Sequence, residues 1–254
     1  MHSSGQPLVL MYHGVGQRSP ATDPYNLFVP PEVLHEQLST LLRRGWRPLR
    51  LADYIAGQGD RRSFLVTFDD GYRSVYQTAV PMLAELGVPA TVFVLPGLLG
   101  GTSEWMPEMS AEPLMTAEEV LATRASGFEL GLHGMDHTAL AGLPPQELRR
   151  QVCTAAQALA ELTGQWPQAF AYPYGDHDAN ARIAVAAAGL TIGFATHDPN
   201  GPLAVPRVDV NSTDSGATFR VKTLRAYPRL RRISGTVPGL RPMVRAVLGG
   251  IRPD

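Results

Sequence analysis

Two adjacent carboxylates, Asp69 and Asp70, follow an apolar run that begins at Phe64, and Gly71 comes directly after them. This pattern predicts a buried strand that delivers two acids to one edge of a sheet. Because neighbouring strand residues point to opposite faces, the two acids are expected to do different work. One can bind a cation while the other moves a proton. The alternative is an Asp-Asp-Gly turn that closes a hairpin.

Two of the seven histidines, His133 and His137, stand at the end of a second apolar stretch. In a helical turn, a spacing of i, i+4 places both imidazoles on one face, where they can share a metal. Such a pair is also typical of solvated or core histidines that bind nothing. One carboxylate and two imidazoles are, however, a common ligand set for catalytic zinc or iron, so the Asp pair favours a metal centre.

A third apolar stretch ends in Tyr172–Gly175, with the sequence Tyr-Pro-Tyr-Gly, which alone favours a simple turn. Taken in order, Thr67–Gly71, His133–His137 and this segment resemble the first three motifs of the polysaccharide deacetylases. That family is also called the NodB homology family, or carbohydrate esterase family 4. The opening segment Leu10–His13 resembles the first strand of many members, and the likeness spans residues 8 to about 215.

The resemblance implies an α/β fold, in the form of a distorted or incomplete (β/α) barrel. It also implies an enzyme that removes acyl groups from N-acylated sugars. It implies that Asp69 is the catalytic base and that Asp70, His133 and His137 are metal ligands. The backbone N–H of Tyr174 would help to hold the oxyanion. The implied cofactor is a divalent metal with zinc as the default, although iron, cobalt or nickel suit the same ligands.

The chain departs from the family pattern at several positions. Gly134 replaces a Ser or Thr whose hydroxyl would steady the loop, and Ala171 replaces an arginine that often orients the base. A short strand over residues 205–210, which begins with Val-Pro-Arg, takes the place of the usual downstream motifs. This variant set resembles the subgroup that acts on biofilm poly-N-acetylglucosamine and related glycans. We predict that Arg207 replaces the missing arginine as the charged partner of Asp69; the alternative is an ordinary surface salt bridge.

The Leu-x-His strand that supplies the usual general acid is absent from the sequence. His197 follows an apolar run and is one candidate for the proton donor, with His177 and His13 as the others. Asp69 alone can also serve, because the base can return its proton to the leaving amine.

Three further residues are expected to contact the substrate: His13, Pro173 and Trp105. Trp105 lies in a long loop, residues 96–113, that is predicted to cross the barrel mouth. Its indole would stack on a sugar ring, or alternatively anchor the loop by packing.

Strand and helix patterns alternate along the chain, which predicts parallel strands covered by helices. In such barrels the chemistry sits at the C-terminal ends of the strands, where every motif above falls. Thr116 and Glu119 also form a predicted capping box before a short helix. The main predicted strands are 8–12, 64–68, 89–95 and 190–196, with further strands before the His133 and Tyr172 motifs, and the main predicted helices are 31–44, 73–86, 144–162 and 178–188.

The chain has 254 residues, enough for one large α/β domain, and its net charge of −1 argues against nucleic-acid binding. Residues 220–254 hold nine Lys or Arg residues and one acid, so a catalytic body, residues 1–219, is predicted to carry a basic extension. That extension could lie on an anionic membrane surface, pack on the barrel as a helix, or remain solvated. The absence of a signal peptide and the single Cys153 favour a cytoplasmic location, with possible membrane association through the extension.

The sequence thus predicts a metal-dependent amidohydrolase that removes an N-acetyl group from an amino sugar, in a polymer, a lipid-linked oligosaccharide or a nucleotide sugar. A deformylase or ring-amide hydrolase of the same superfold is the nearest enzymatic alternative. A glycan-binding pseudoenzyme is the alternative from another class, favoured by Gly134, Ala171 and the missing Leu-x-His strand.

Overall fold

The computed structural model describes residues 5–196 and 198–224. The strands in this part of the chain are Leu8–Tyr12 (β1), Gly14–Val15 (β2), Phe28–Val29 (β3), Arg47–Pro48 (β4), Ser63–Phe68 (β5), Ala90–Val94 (β6), Glu129–Leu132 (β7), Ala169–Ala171 (β8), Ile192–Ala195 (β9), Val205–Pro206 (β10) and Val208–Asp209 (β11). The α-helices are Pro31–Arg43 (α1), Leu51–Ile55 (α2), Val80–Leu86 (α3), Ala117–Ala125 (α4), Pro145–Arg149 (α5), Ala155–Thr163 (α6), Ala179–Ala187 (α7) and Gly216–Lys222 (α8). Two π-helical segments, Val75–Ala79 and Arg150–Thr154, lead into α3 and join α5 to α6.

One parallel sheet organises the fold, in the order β10-β9-β8-β7-β6-β5-β1-β11, with β4 added beside β5. The two ends of this order, β10 and β11, are separated in sequence by Arg207 alone. The sheet therefore curls almost into a closed barrel, and the predicted distorted (β/α) barrel is confirmed. Where we expected one strand over residues 205–210, the chain forms two, because β10 pairs with β9 and β11 pairs with β1.

Side chains that alternate along each strand form two separate apolar clusters. The larger lies between the sheet and the helices and takes from β5 the residues Phe64, Val66 and Phe68. The smaller fills the barrel interior and includes Leu65, Phe93 and Phe194, with α2 packed against it. Because Thr67 and Asp69 follow Leu65 at steps of two residues, the strand period directs them to the interior as well.

The predicted capping box is confirmed at the start of α4. The backbone N–H of Glu119 donates to Thr116 Oγ1 at 3.3 Å, and the backbone N–H of Thr116 donates to Glu119 Oε2 at 2.9 Å. The two bonds satisfy backbone donors that the first turn of a helix leaves without partners.

Helix α8 is tied to the closing strand β11 by a buried lysine. The ammonium of Lys222 donates to Asp214 Oδ2 at 2.7 Å and to the carbonyl oxygen of Asp209 at 3.0 Å, and its side chain is fully buried. Helix α8 spans the predicted boundary between residues 219 and 220. Most of the basic extension, residues 225–254, lies outside the described residues. Among the described helices, none is long and apolar enough to cross a bilayer.

We expect Lys222→Met to lower the free energy of unfolding by about 3 kcal/mol, because it leaves the buried Asp214 carboxylate without its cation. Denaturant unfolding measures the change. Arg43→Met is the matched control, since Arg43 pairs with Glu36 at the surface, where both side chains are more than half exposed. Equal losses in the two variants would contradict a structural role for the buried pair.

Candidate active site

Asp69 and Arg207 form a bidentate ion pair inside the barrel mouth. Arg207 Nη1 donates to Asp69 Oδ1 and Nη2 to Oδ2, each at 2.6 Å, and Nη1 also donates to Thr67 Oγ1 at 3.1 Å. Parallel N–H donors of this kind hold a carboxylate in one orientation. Arg207 thus makes contact with Asp69, the partner expected from the sequence.

The surroundings of Arg207 argue against an ordinary surface salt bridge. Its side chain is fully buried, and its guanidinium carbon lies 5.6 Å and 5.8 Å from the ring centroids of Phe93 and Phe194. Aromatic faces at this distance attract a cation. Burial raises the pKa of Asp69, but Arg207, together with His133, more than offsets burial and lowers the pKa below its ordinary value. The carboxylate is therefore ionised at neutral pH.

Asp70, His133 and His137 converge beside this pair. Asp70 Oδ1 lies 3.2 Å from the Nε2 atoms of both His133 and His137, and the three donor atoms lie within 4.8 Å of one another. All three side chains are buried. Their elements explain the meeting: β5 and β7 both pair with β6 as parallel strands, so their C-terminal ends open on the same edge of the barrel.

The hydrogen bond of His133 shows that this cluster fits a cation. His133 Nδ1 lies 2.8 Å from the carbonyl oxygen of Ala171, which can only accept, so Nδ1 carries a proton. In the neutral ring, Nε2 then offers a lone pair to Asp70 Oδ1, which is itself an acceptor with no hydrogen-bond partner among the described residues. Lone pairs directed at one another are stabilised by a positive ion between them, which is the geometry of a metal centre.

Without a cation, the positive charge that this cluster needs comes from a protonated imidazole. Burial lowers the pKa of His133, but the carboxylates of Asp69 and Asp70 outweigh burial and raise that pKa above its ordinary value. Burial raises the pKa of Asp70, but the two imidazoles outweigh burial and hold the pKa well below its usual range. Burial is the largest effect on His137 and lowers its pKa, which favours the neutral form that binds metals.

The expected helical turn between His133 and His137 is wrong. The segment after β7 is irregular, with Gly134 at φ +89° and His137 at φ +66°. The left-handed residues fold the loop back, so the two Nε2 atoms meet without a helix. Asp70, at φ +70°, turns in the same way directly after β5. Backbone strain of this kind is concentrated at functional sites.

Aromatic rings enclose the imidazole of His137. Trp105 stacks on it, with ring centroids 4.5 Å apart and an interplanar angle of 16°, and Tyr174 meets it edge-on at 4.6 Å. The loop of residues 96–113 therefore reaches the site, as expected. Tyr174 is 53% exposed, whereas Pro173 beside it is buried. Contacts of Trp105, Pro173 and the Tyr174 N–H with a substrate stay predictions.

The candidate proton donors differ in their placement. His13 follows β1, which pairs in parallel with β5, so it lies at the same edge of the sheet as Asp69 and Asp70. His177 Nδ1 accepts a hydrogen bond from Arg182 Nη1 at 2.9 Å, so the guanidinium occupies one of its ring nitrogens. His197 lies outside the described residues.

Two contacts at the site were not foreseen from the sequence. One is the Ala171 carbonyl, a backbone group whose role no residue type signals, although β7 and β8 are adjacent parallel strands. The other is Gln151, whose Oε1 accepts the backbone N–H of Met135 at 2.8 Å within the histidine loop. A single glutamine inside a predicted helix carries no sequence signal of its own.

Comparisons with known proteins show which proteins the chain resembles. The chain is 26% identical to the Bacillus subtilis protein YxkH, whose name places it among polysaccharide deacetylases, over 83% of this chain and 74% of that protein. It is 23% identical to the poly-β-1,6-N-acetyl-D-glucosamine N-deacetylase of Staphylococcus epidermidis, over 78% and 74% of the two chains. The solved structure of IcaB from Ammonifex degensii superimposes with a TM-score of 0.72 at 25% identity, covering 89% of this chain and 98% of that one.

The sequence profile of the polysaccharide deacetylase family matches residues 56–193, more than half of the chain, and this stretch contains all three candidate metal ligands together with Asp69. The chain therefore belongs to the polysaccharide deacetylase family.

Proposed function

We propose that this protein is a metal-dependent hydrolase that removes N-acetyl groups from the amino sugars of a glycan. Among family substrates, N-acetylglucosamine polymers or oligomers are the class that the relatives favour, because one of them is named for poly-β-1,6-N-acetyl-D-glucosamine. One observation carries the proposal: the candidate ligands Asp70, His133 and His137 converge beside the carboxylate of Asp69, which is bound by Arg207 and lies outside the ligand set.

The ligands would be Asp70 Oδ1 and the Nε2 atoms of His133 and His137. A divalent cation held there supplies Lewis-acid chemistry, which makes water acidic and polarises an amide carbonyl. Zinc is the default for this donor set, and iron, cobalt or nickel fit it as well.

The protein's own residues would perform the proton transfers. Each Asp69 oxygen accepts one hydrogen bond from Arg207 and retains a lone pair, so the carboxylate can take a proton from the attacking water. The water oxygen would bond to the amide carbon as Asp69 takes this proton, and Asp69 would then pass the proton to the nitrogen as the C–N bond breaks. The products are the free amine and acetic acid, which ionises to acetate in water. A backbone N–H at Tyr174, directed at the developing oxyanion, would stabilise the transition state by about 3 kcal/mol.

A glycan-binding protein without turnover is the competing function. Gly134, Ala171 and the missing Leu-x-His strand favour it in the sequence, and Ala171 lacks the side chain that orients the base. The contact of Arg207 with Asp69 weakens that argument, since a guanidinium reaches the base from another strand. We therefore favour the enzyme.

We expect the purified chain to bind a divalent cation and Asp70→Asn to lose it, because the amide removes the negative charge that faces both imidazoles. Elemental analysis after exhaustive dialysis measures the metal content. Asp176→Asn is the matched control, since Asp176 is exposed and lies outside the triad. Full metal content in Asp70→Asn would exclude this ligand set.

Asp69→Asn is expected to reduce acetate release from N-acetylglucosamine oligomers by about 100-fold or more, because it removes the proton acceptor. The metal content should stay at the wild-type value, since Asp69 is not a ligand. Enzymatic assay of released acetate measures the rate. A wild-type chain that holds metal but releases no acetate from any acylated sugar would overturn the deacetylase proposal.

Two replacements of Arg207 should separate its effect on the orientation of Asp69 from the effect of its positive charge. We expect Arg207→Lys to lose about 10-fold in kcat and Arg207→Ala about 100-fold, because lysine keeps the charge but cannot form the bidentate pair. Arg47→Ala provides the control, since Arg47 pairs with Asp60 on the exposed surface. Turnover that is equal in all three variants, with folding verified by circular dichroism, would show that Arg207 has no part in the reaction.

A further inference from the structure

The loop between His133 and His137 is held by one buried side chain, Gln151. Its Oε1 accepts the Met135 backbone N–H at 2.8 Å, and its Nε2 donates to Asp136 Oδ1 at 2.5 Å and to Glu147 Oε1 at 3.1 Å. The backbone N–H can only donate and the ionised carboxylates can only accept, so these partners define the orientation of the carboxamide. Both N–H donors of Gln151 are therefore used.

The backbone of the loop lies directly against this carboxamide. A Cβ atom added to Gly134 would stand 3.1 Å from Gln151 Oε1, and Gly134 has φ +89°, a conformation that side chains disfavour. A side chain at position 134 would therefore adopt a strained backbone conformation and press against the Gln151 carboxamide.

Gln151 reaches the loop from an irregular helical segment. It lies in the π-helical stretch Arg150–Thr154, and such stretches occur frequently at functional sites. Arg150 in the same stretch also binds Asp136, at 2.5 Å, but its side chain is 43% exposed and the pair is screened by solvent. Gln151, at 0% exposure, is the buried restraint.

We propose that Gln151 is a positioning residue for the metal ligands. It holds the strained backbone between His133 and His137 so that both Nε2 atoms face Asp70 before a cation binds. The inference rests on the proposed function only in treating this cluster as a metal centre. A ligand set arranged in advance binds its metal more tightly, because binding does not have to order the loop.

The test is Gln151→Met, which keeps the length of the side chain and removes all three hydrogen bonds. We expect the affinity for zinc, measured by competition with a chromophoric chelator, to fall by about 10-fold or more. The visible absorption spectrum of the cobalt-loaded protein should change as well, since it reports ligand geometry. Gln157→Met is the matched control: Gln157 follows in α6, is exposed, and donates to Glu161 at 2.8 Å. Its zinc affinity and cobalt spectrum should match those of the wild type.

A second variant separates positioning from loss of stability. Leu159→Ala removes a buried apolar side chain from α6 and should lower the melting temperature without changing zinc affinity. Unchanged affinity and spectrum in Gln151→Met, or an equal loss of affinity in Leu159→Ala, would overturn the positioning role.

Failure of the deacetylase proposal can be distinguished from failure of the positioning role. A wild-type chain that binds zinc and releases no acetate fails as a deacetylase, while a weakened Gln151→Met still supports the positioning role. A wild-type chain that binds no divalent metal overturns both.

Discussion

The buried pair of Arg207 and Asp69 is the interaction on which both the barrel and its site depend. Arg207 is the residue between β10 and β11, where the two ends of the sheet order meet. Its backbone N–H donates to the carbonyl oxygen of Ala195 at 3.0 Å, while its side chain reaches across the interior to Asp69. The two ends of the barrel thus meet at Arg207, the residue that also neutralises the candidate base. The same residue therefore links the closure of the barrel to the orientation of Asp69.

Charge balance explains why two adjacent aspartates can take different roles. At the candidate site, the buried carboxylates of Asp69 and Asp70 lie beside one buried guanidinium, that of Arg207, which is bound to Asp69. Asp69 has its counter-charge within the protein and can remain free of metal. Asp70 faces two imidazoles, which carry a positive charge only when they are protonated, so its counter-charge comes from a proton on them or from a bound cation. Strand alternation alone predicted that the two aspartates differ. The partner of each carboxylate, Arg207 for Asp69 and the two imidazoles for Asp70, explains how they differ.

Much of this arrangement is predictable from the sequence, for identifiable reasons. Strand ends of a parallel barrel share one edge, so the motifs at Asp69 and His133 had to converge once the alternation of elements was recognised. The expectation for Arg207 came from a missing arginine at Ala171 and a surplus one on a late strand. The rest was not predictable: strands of two residues such as β10 and β11 show no period, and the π-helical stretch that carries Gln151 has no compositional signature. The helical turn at His133 failed because spacing alone cannot distinguish a helix from a loop with left-handed residues.

Three of the five non-glycine residues with positive φ in the described part of the chain follow strands that lead to the candidate site. Asp70, His137 and Tyr174 are non-glycine residues with φ between +59° and +70°. The side chains of Asp70 and His137 face each other, and the ring of Tyr174 contacts that of His137. An extended residue after Asp69 would direct its side chain towards the helices, whereas the left-handed turn at Asp70 keeps it at the mouth. Such residues cost about 1–3 kcal/mol each, and the structure limits the strain by using glycine next to two of them, at Gly71 and Gly175. Gly175 is also sterically required, because a Cβ there would lie 1.9 Å from Thr196 Oγ1. These two glycines therefore belong to the candidate site as much as Asp70 does, since they allow the chain to reverse immediately after Asp70 and Tyr174.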